Sequence, residues 1–169
     1  MTASIAVYKA CDIIRGLKDK GCSVTVVETT EAQEFIRPAL FAHLSGNKVY
    51  SGMFEEPQAW DIEHVSLAER ADAVVIAPAT ANIIGKIAGG ISDDLLTCVI
   101  CATRAPVLIC PAMNEGMYLN KVTQANIKKL KSLGSFAFLE PVKGRLACGK
   151  VGVGCLAPVE QIVQAALRL

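Results

Sequence analysis

The chain alternates short apolar segments with segments of helical periodicity, and this alternation restricts the fold more than any other feature. Strand-sized apolar segments lie at positions 24–27, 73–77, 106–110 and 136–139. Helical periods run from Ser4 towards Gly21 and at 32–44, 81–88, 93–103, 123–133 and 159–167. Apolar strands separated by helices are typical of a parallel sheet covered on both faces. The sequence therefore predicts an α/β fold with a doubly wound, flavodoxin-like or Rossmann-like parallel sheet.

The first helical period begins almost at Met1. A fold of this kind normally has a strand ahead of the turn at Thr2-Ala3-Ser4, near the centre of the sheet. Either the chain start is truncated or the sheet is one strand short. We therefore expect the first strand to be missing.

Length and composition favour one compact globular domain over residues 1–169. The chain is 52% apolar and 20% charged, which suits a well-buried core. A net charge of +1 gives no electrostatic reason to expect nucleic acid or an anionic membrane as a partner. No apolar segment approaches the roughly 20 residues of a membrane helix. Seven cysteines without a recognisable signal peptide indicate a reducing cytoplasm.

The octet Pro111-Ala112-Met113-Asn114-Glu115-Gly116-Met117-Tyr118 follows an apolar strand. Open α/β sheets bind ligands at the carboxyl ends of their strands. The Asn114 amide offers a donor to a substrate carboxylate without neutralising it, and the two methionines offer an adaptable apolar wall. The alternative is a turn with a buried amide.

Two further segments place small hydroxyl residues where a strand ends and a helix begins: Thr2-Ala3-Ser4 and the segment from Ala77 to Asn82. Helix amino termini with hydroxyl donors attract phosphate, so a phosphorylated cofactor is a natural ligand. Ordinary helix capping by Ser4 and Thr80 is the alternative. Neither a Gly-x-Gly-x-x-Gly fingerprint nor a Walker loop occurs, which argues against dinucleotides and nucleoside triphosphates.

Two side chains have the chemistry for proton transfer. His64 directly follows the long irregular segment 51–63, and histidine exchanges protons near neutral pH. The alternative is a partly exposed histidine that caps a helix. Cys148 lies in a glycine-rich, mobile-looking loop at 144–154 near cations, a setting typical of a reactive thiol. Cys98 and Cys101 have metal-ligand spacing without a second pair or a histidine cluster, so we expect no metal.

Together these motifs resemble those of the flavin-containing cysteine decarboxylase family over essentially the whole chain. The resemblance rests on Ala3 to Ala6, Ala77 to Asn82, Gly90 to Asp93, Pro111 to Tyr118 and Ala147 to Gly149. It implies an FMN cofactor at the carboxyl ends of the strands. It also implies the following site residues: Ser4, Thr29, Thr80, Asn82, Ala112 and Met113 for the cofactor; Asn114, Met117, Tyr118 and Ala147 for the substrate; and His64, Asn114 and Cys148 for catalysis.

The resemblance implies a carboxy-lyase of coenzyme A biosynthesis that converts 4'-phospho-N-pantothenoylcysteine into 4'-phosphopantetheine and CO2. It further implies a homotrimer or dodecamer, with His64 serving a neighbouring subunit's flavin. Two alternatives are an oxidative peptidyl-cysteine decarboxylase, against which Cys148 argues, and a non-catalytic FMN-binding regulatory protein. Ala3 stands where the family has glycine, and would crowd the phosphate loop if that position needs a positive φ.

Overall fold

The computed structural model describes residues 1–53 and 63–169 and contains the predicted parallel strands. The strands are β1 (Val26–Val27), β2 (Val49–Tyr50), β3 (Val74–Ala79), β4 (Val107–Pro111), β5 (Phe136–Phe138), β6 (Val142–Arg145) and β7 (Val151–Cys155). The α-helices are α1 (Ala10–Asp19), α2 (Pro38–Ser45), α3 (Glu63–Arg70), α4 (Ala81–Gly89), α5 (Leu95–Ala102), α6 (Glu115–Tyr118), α7 (Lys121–Ser132) and α8 (Val159–Ala166). Two 3-10 helices span Ile5–Lys9 and Thr30–Glu34. None of the helices in the described part of the chain is long and apolar enough to cross a bilayer.

Strands β3, β4 and β5 form one parallel sheet, in that order, and helices cover both of its faces. Ile76 and Ile109 project to the face where they pack with residues of α4 and α7. Leu108 and Cys110 project to the opposite face, where they pack with residues of α1 and α8. Side chains alternate between the two faces of a strand, and helices cover both faces. Both faces of each strand are therefore apolar. The predicted doubly wound α/β arrangement is confirmed.

Strands β1 and β2 form a separate parallel pair, and within the described residues β1 does not pair with β3. The first two residues lie between the ends of these two sheets. The Met1 amine donates to the Val27 carbonyl over 2.6 Å, and the Thr29 amide donates to the Met1 carbonyl over 3.1 Å. The Thr2 hydroxyl donates to the Pro78 carbonyl over 2.9 Å. Met1 and Thr2 therefore link the carboxyl ends of β1 and β3, at the place where the sequence predicted a missing strand.

The structure differs from the prediction in several details. The predicted helix at 32–44 is two elements, because Pro38 forces Arg37 into an extended conformation (φ −72°, ψ 144°) and α2 begins only after it. The glycine-rich segment 144–154 was predicted to be a mobile loop, but it belongs to an antiparallel hairpin of β6 and β7. Strand β2 was not predicted, since two residues give no readable alternation. Most of the irregular segment 51–63 lies outside the described residues.

Candidate active site

The loops that follow the parallel strands are joined to one another by hydrogen bonds. The Ser4 hydroxyl donates to the Ala112 carbonyl over 3.1 Å, and the Ala112 amide donates to the Ala79 carbonyl over 3.0 Å. The Thr80 amide donates to the Thr2 hydroxyl over 3.1 Å. The loops that the sequence singled out therefore meet at one edge of the structure, where an open α/β sheet binds its ligands.

Ser4 and Thr80 both cap helices. The Ser4 oxygen accepts from the Ala6 amide, and the Thr80 oxygen accepts from the Ile83 amide. Both side-chain oxygens thus cap helices, as the alternative interpretation of Ser4 and Thr80 predicted. No non-glycine residue in the described ranges has a positive φ, so Ala3 adopts its turn without the strain that we had considered.

The donors at this edge fit the phosphate of FMN. The Ala81 and Asn82 amides lie in the first turn of α4, where a helix provides no acceptor for them and its dipole favours an anion. The Asn82 side chain is exposed, and Thr29 makes no capping bond with its hydroxyl. These groups would hold the phosphate by hydrogen bonds from amides, a hydroxyl and a carboxamide.

A buried carboxyl group lies beside these donors. Glu28 follows β1 and is 1% exposed. Neither oxygen of its carboxyl group has a hydrogen-bond partner among the described residues. Burial raises the pKa of Glu28 to about 7, against the opposing effect of the Met1 amine. Burial also lowers the pKa of that amine to about 6. The fold therefore favours the neutral form of each group.

Glu28 should make the stability of the protein decrease between about pH 5 and pH 8. Its pKa rises from 4.5 to about 7 on folding, so its favourable contribution is complete below 4.5 and is lost as the pH rises through 7. The Met1 amine acts in the opposite sense, because its contribution is complete above pH 8 and is lost as the pH falls through about 6. Comparison of the wild type with Glu28→Gln isolates the carboxyl group.

We expect the free energy of unfolding of Glu28→Gln, relative to that of the wild type, to rise by up to about 3 kcal/mol between pH 5 and pH 8. The measurement is urea unfolding at both pH values. Glu31→Gln, at an exposed position nearby, is the matched control and should show the pH dependence of the wild type. An identical pH dependence in all three proteins would contradict this expectation.

Asn114 and Cys148 come together although 34 residues separate them in sequence. The Asn114 Oδ1 atom accepts from the Gly116 amide over 2.8 Å and caps α6. This bond fixes which way the amide faces, and leaves the Nδ2 group to point at Cys148 Sγ, 3.7 Å away. Both residues are exposed, so a substrate can reach the amide donor and the thiol.

The hairpin that carries Cys148 is attached to the Asn114 octet through its backbone. The Met113 amide donates to the Gly154 carbonyl over 3.0 Å. A Cβ atom at Gly154 would lie 2.1 Å from the Met113 carbonyl oxygen, and φ at Gly154 is +148°. Only glycine permits this close approach of two backbones. The octet and the hairpin are therefore parts of one site.

Tyr118 belongs to a polar network at the border of the site. Its hydroxyl donates to Glu140, which also accepts from Lys131. Burial and the bond to Glu140 raise the pKa of Tyr118 to about 12, so the phenol stays protonated. Met117 is 48% exposed and Ala147 is exposed, which leaves both able to contact a substrate.

His64 is not brought to Asn114 or Cys148 by any hydrogen bond among the described residues. It lies in the first turn of α3, which packs on α5 through an apolar cluster of Leu67, Ala68, Leu95 and Val99. Its catalytic role stays a prediction.

Sequence reasoning missed Glu28 and Glu140, and it gave no individual role to Thr2 and Glu115, which lie in segments that it singled out. Their roles depend on contacts between segments that are far apart in sequence. Glu28 gave one local signal, since a carboxylate directly after a buried strand is unusual.

Comparisons with known proteins are consistent with this geometry. The model of the Flavoprotein family matches residues 1–169. The chain is 45% identical to the coenzyme A biosynthesis bifunctional protein CoaBC of Bacillus subtilis, over 98% of this chain and 41% of that protein. It is 40% identical to a probable phosphopantothenoylcysteine decarboxylase of Streptococcus mutans, over 97% of this chain and 92% of that protein. It thus spans about two fifths of the bifunctional relatives.

Two solved structures are similar over almost the whole chain. A cysteine-to-serine mutant of PPC decarboxylase, complexed with pantothenoylaminoethenethiol, has a TM-score of 0.86 and 30% identity, covering 99% of this chain and 92% of that one. The FMN-dependent cysteine decarboxylase SpaF has a TM-score of 0.85 and 27% identity, covering 99% of this chain and 91% of that one. From the family match over its full length, the fold and the joined strand-end loops, the chain belongs to the Flavoprotein family.

Proposed function

We propose that this protein is an FMN-dependent carboxy-lyase that converts 4'-phospho-N-pantothenoylcysteine into 4'-phosphopantetheine and CO2, a step of coenzyme A biosynthesis. The single observation that carries the proposal is the pairing of Asn114 Nδ2 with Cys148 Sγ at 3.7 Å, at the carboxyl end of a parallel sheet. A carboxamide donor beside a thiol suits a substrate whose carboxylate must be held and whose product must be protonated. The names of the relatives support the same substrate.

The chemistry of the substrate requires a cofactor. Loss of CO2 from an ordinary cysteine would leave an unstabilised carbanion. When bound, FMN would supply a reversible two-electron oxidation of the carbon–sulfur bond, and the resulting double bond, in the β position to the carboxylate, would accept the electron pair when CO2 leaves. We assign the phosphate of FMN to Ser4, Thr29, Thr80 and Asn82, and its ring to the wall formed by Ala112 and Met113.

The side chains of this chain then have defined tasks. Asn114 Nδ2 donates a hydrogen bond to the substrate carboxylate and orients the carbon–carbon bond that breaks. The Cys148 thiol would donate a proton to the enethiolate carbon that lost CO2, while the hydride equivalent taken up in the first oxidation would return from the bound FMN to the carbon that bears sulfur. Solvent then reprotonates the exposed thiolate. Met117, Tyr118 and Ala147 line the substrate. We assign His64 to the site of a neighbouring subunit, in a cytoplasmic homotrimer or dodecamer. Residues 1–169 form one flavoprotein domain of that assembly.

An oxidative peptidyl-cysteine decarboxylase that releases the enethiol is the competing function, and the solved peptidyl-cysteine decarboxylase EpiD has a TM-score of 0.83, close to the 0.86 of PPC decarboxylase. The fold therefore does not separate the two. Cys148 favours the complete cycle, because an enzyme that stops at the enethiol needs no proton donor at this position.

The experiment that tests the function is an anaerobic assay of the purified protein loaded with FMN. We expect 4'-phospho-N-pantothenoylcysteine to release CO2 and yield 4'-phosphopantetheine over many turnovers, with the visible spectrum of the bound flavin recovering after each addition. Accumulation of the enethiol and a permanently bleached spectrum would instead identify the oxidative decarboxylase. A protein that binds FMN but releases no CO2 would refute both enzymatic functions.

A further inference from the structure

The hairpin of β6 and β7 contacts the Asn114 octet through one charged side chain, that of Glu115. Glu115 is the first residue of α6 and is partly buried. Its Oε1 atom accepts a hydrogen bond from the Val153 amide, in β7, over 2.9 Å. A carboxylate that accepts from a backbone amide forms a stronger bond than a neutral acceptor does.

The sequence of β7 leaves room for this carboxylate. A Cβ atom at Gly152 would lie 2.7 Å from both Cδ and Oε1 of Glu115, closer than real Cβ contacts. Gly152 is buried, and it is next in sequence to the residue whose amide is bound. The Glu115 carboxylate thus occupies the space that a side chain on β7 would otherwise fill.

The contacts of Cys148 itself are too weak to hold its turn in place. The turn is closed internally by the Leu146 amide, which donates to the Lys150 carbonyl over 2.8 Å, and by the Gly149 amide, which donates to Leu146. Its direct contact with the octet is a sulfur contact of 3.7 Å to Asn114, and sulfur is a weak hydrogen-bond acceptor. The position of the thiol therefore depends on how β7 is held farther along the hairpin.

We propose that Glu115 is a positioning residue that holds the β6–β7 hairpin on the octet and thereby keeps the Cys148 thiol beside Asn114. This role rests on the proposed function, in which the thiol must reach the carbon that loses CO2 in a substrate oriented by Asn114. It adds a side chain to the backbone bond between Met113 and Gly154, and it lies nearer to the turn.

The test compares Glu115→Ala and Glu115→Gln with Glu160→Ala, a control at an exposed first-turn glutamate of α8. The first measurement is the hydrogen-exchange rate of the Val153 amide by NMR, in FMN-loaded protein without substrate. The second is the ratio of enethiol to 4'-phosphopantetheine after one anaerobic turnover. We expect Glu115→Ala to raise the exchange rate at least about tenfold and to raise the enethiol fraction severalfold. Glu115→Gln keeps an oxygen acceptor and should stay near the wild type, as should Glu160→Ala.

Gly152→Ala provides an independent check. Its added methyl group would displace the Glu115 carboxylate, so the single variant should behave like Glu115→Ala. In the double variant the space is already free, and the methyl group should add little. Circular dichroism shows whether each variant is folded.

Unchanged exchange at Val153 in Glu115→Ala would overturn the proposed hold on the hairpin. Faster exchange with an unchanged product ratio would overturn the link to Cys148. If the wild type turns over no substrate, the proposed function fails, while the exchange rates still decide whether Glu115 holds the hairpin.

Discussion

Cys148→Ser is expected to slow the formation of 4'-phosphopantetheine by about 100-fold or more, while CO2 is still released in a first turnover. A positioned general acid typically contributes factors of 10² to 10⁴. A serine hydroxyl occupies nearly the same volume but is a far weaker acid than a thiol. The enethiol should therefore accumulate, and mass spectrometry of the products after single and multiple turnovers measures it.

The matched control for this variant is Cys155→Ser, because Cys155 lies in β7 of the same hairpin and its thiol faces the Arg145 carbonyl over 3.6 Å. It should keep the product ratio of the wild type. A Cys148→Ser protein that makes 4'-phosphopantetheine at an unchanged rate would remove the thiol from the mechanism.

Asn114→Asp is expected to lower kcat/KM by about 100-fold or more without unfolding the protein. The aspartate keeps the oxygen that accepts from the Gly116 amide, and aspartate caps helices as well as asparagine does. It loses the Nδ2 donor and places a negative charge against the substrate carboxylate. Steady-state kinetics measure the loss, and urea unfolding checks stability.

Asn120→Asp is the matched control, since Asn120 caps α7 in the same manner, with its Oδ1 atom accepting from the Val122 amide over 2.8 Å. Both variants should be about as stable as the wild type, and only Asn114→Asp should lose turnover. Equal activity of the two variants would show that Asn114 is a helix cap and does not hold the substrate. That outcome would favour the alternative reading of the octet as a turn.

The parallel strands and the helices between them could be predicted, because each strand is visible as a short apolar segment of the sequence. Residues 73–77 and 106–110 are apolar on both faces, and the structure places both in one parallel sheet with helices on each side. The position of the octet was likewise predictable, since it lies at the end of a buried strand and carries a polar amide there.

The hairpin and its attachment could not be predicted in the same way. Glycines at 144, 149, 152 and 154 suggested mobility, because glycine lacks side-chain contacts. In the structure, two of them serve close approach instead: Gly154 meets the Met113 carbonyl, and Gly152 makes room for Glu115. These partners are more than 30 residues away in sequence. Local patterns do not contain pairings at that separation, and the same limit hid the Met1 contacts with β1.

The fixed orientation of the Asn114 amide has a consequence for product release. Because Oδ1 is engaged by the Gly116 amide, the substrate meets only a donor, which favours an anion. In the proposed function, the group that this donor holds is the carboxylate that departs as CO2. Once the carbon–carbon bond has broken, the amide has no carboxylate to bind, so the product lacks this contact and should bind more weakly than the substrate.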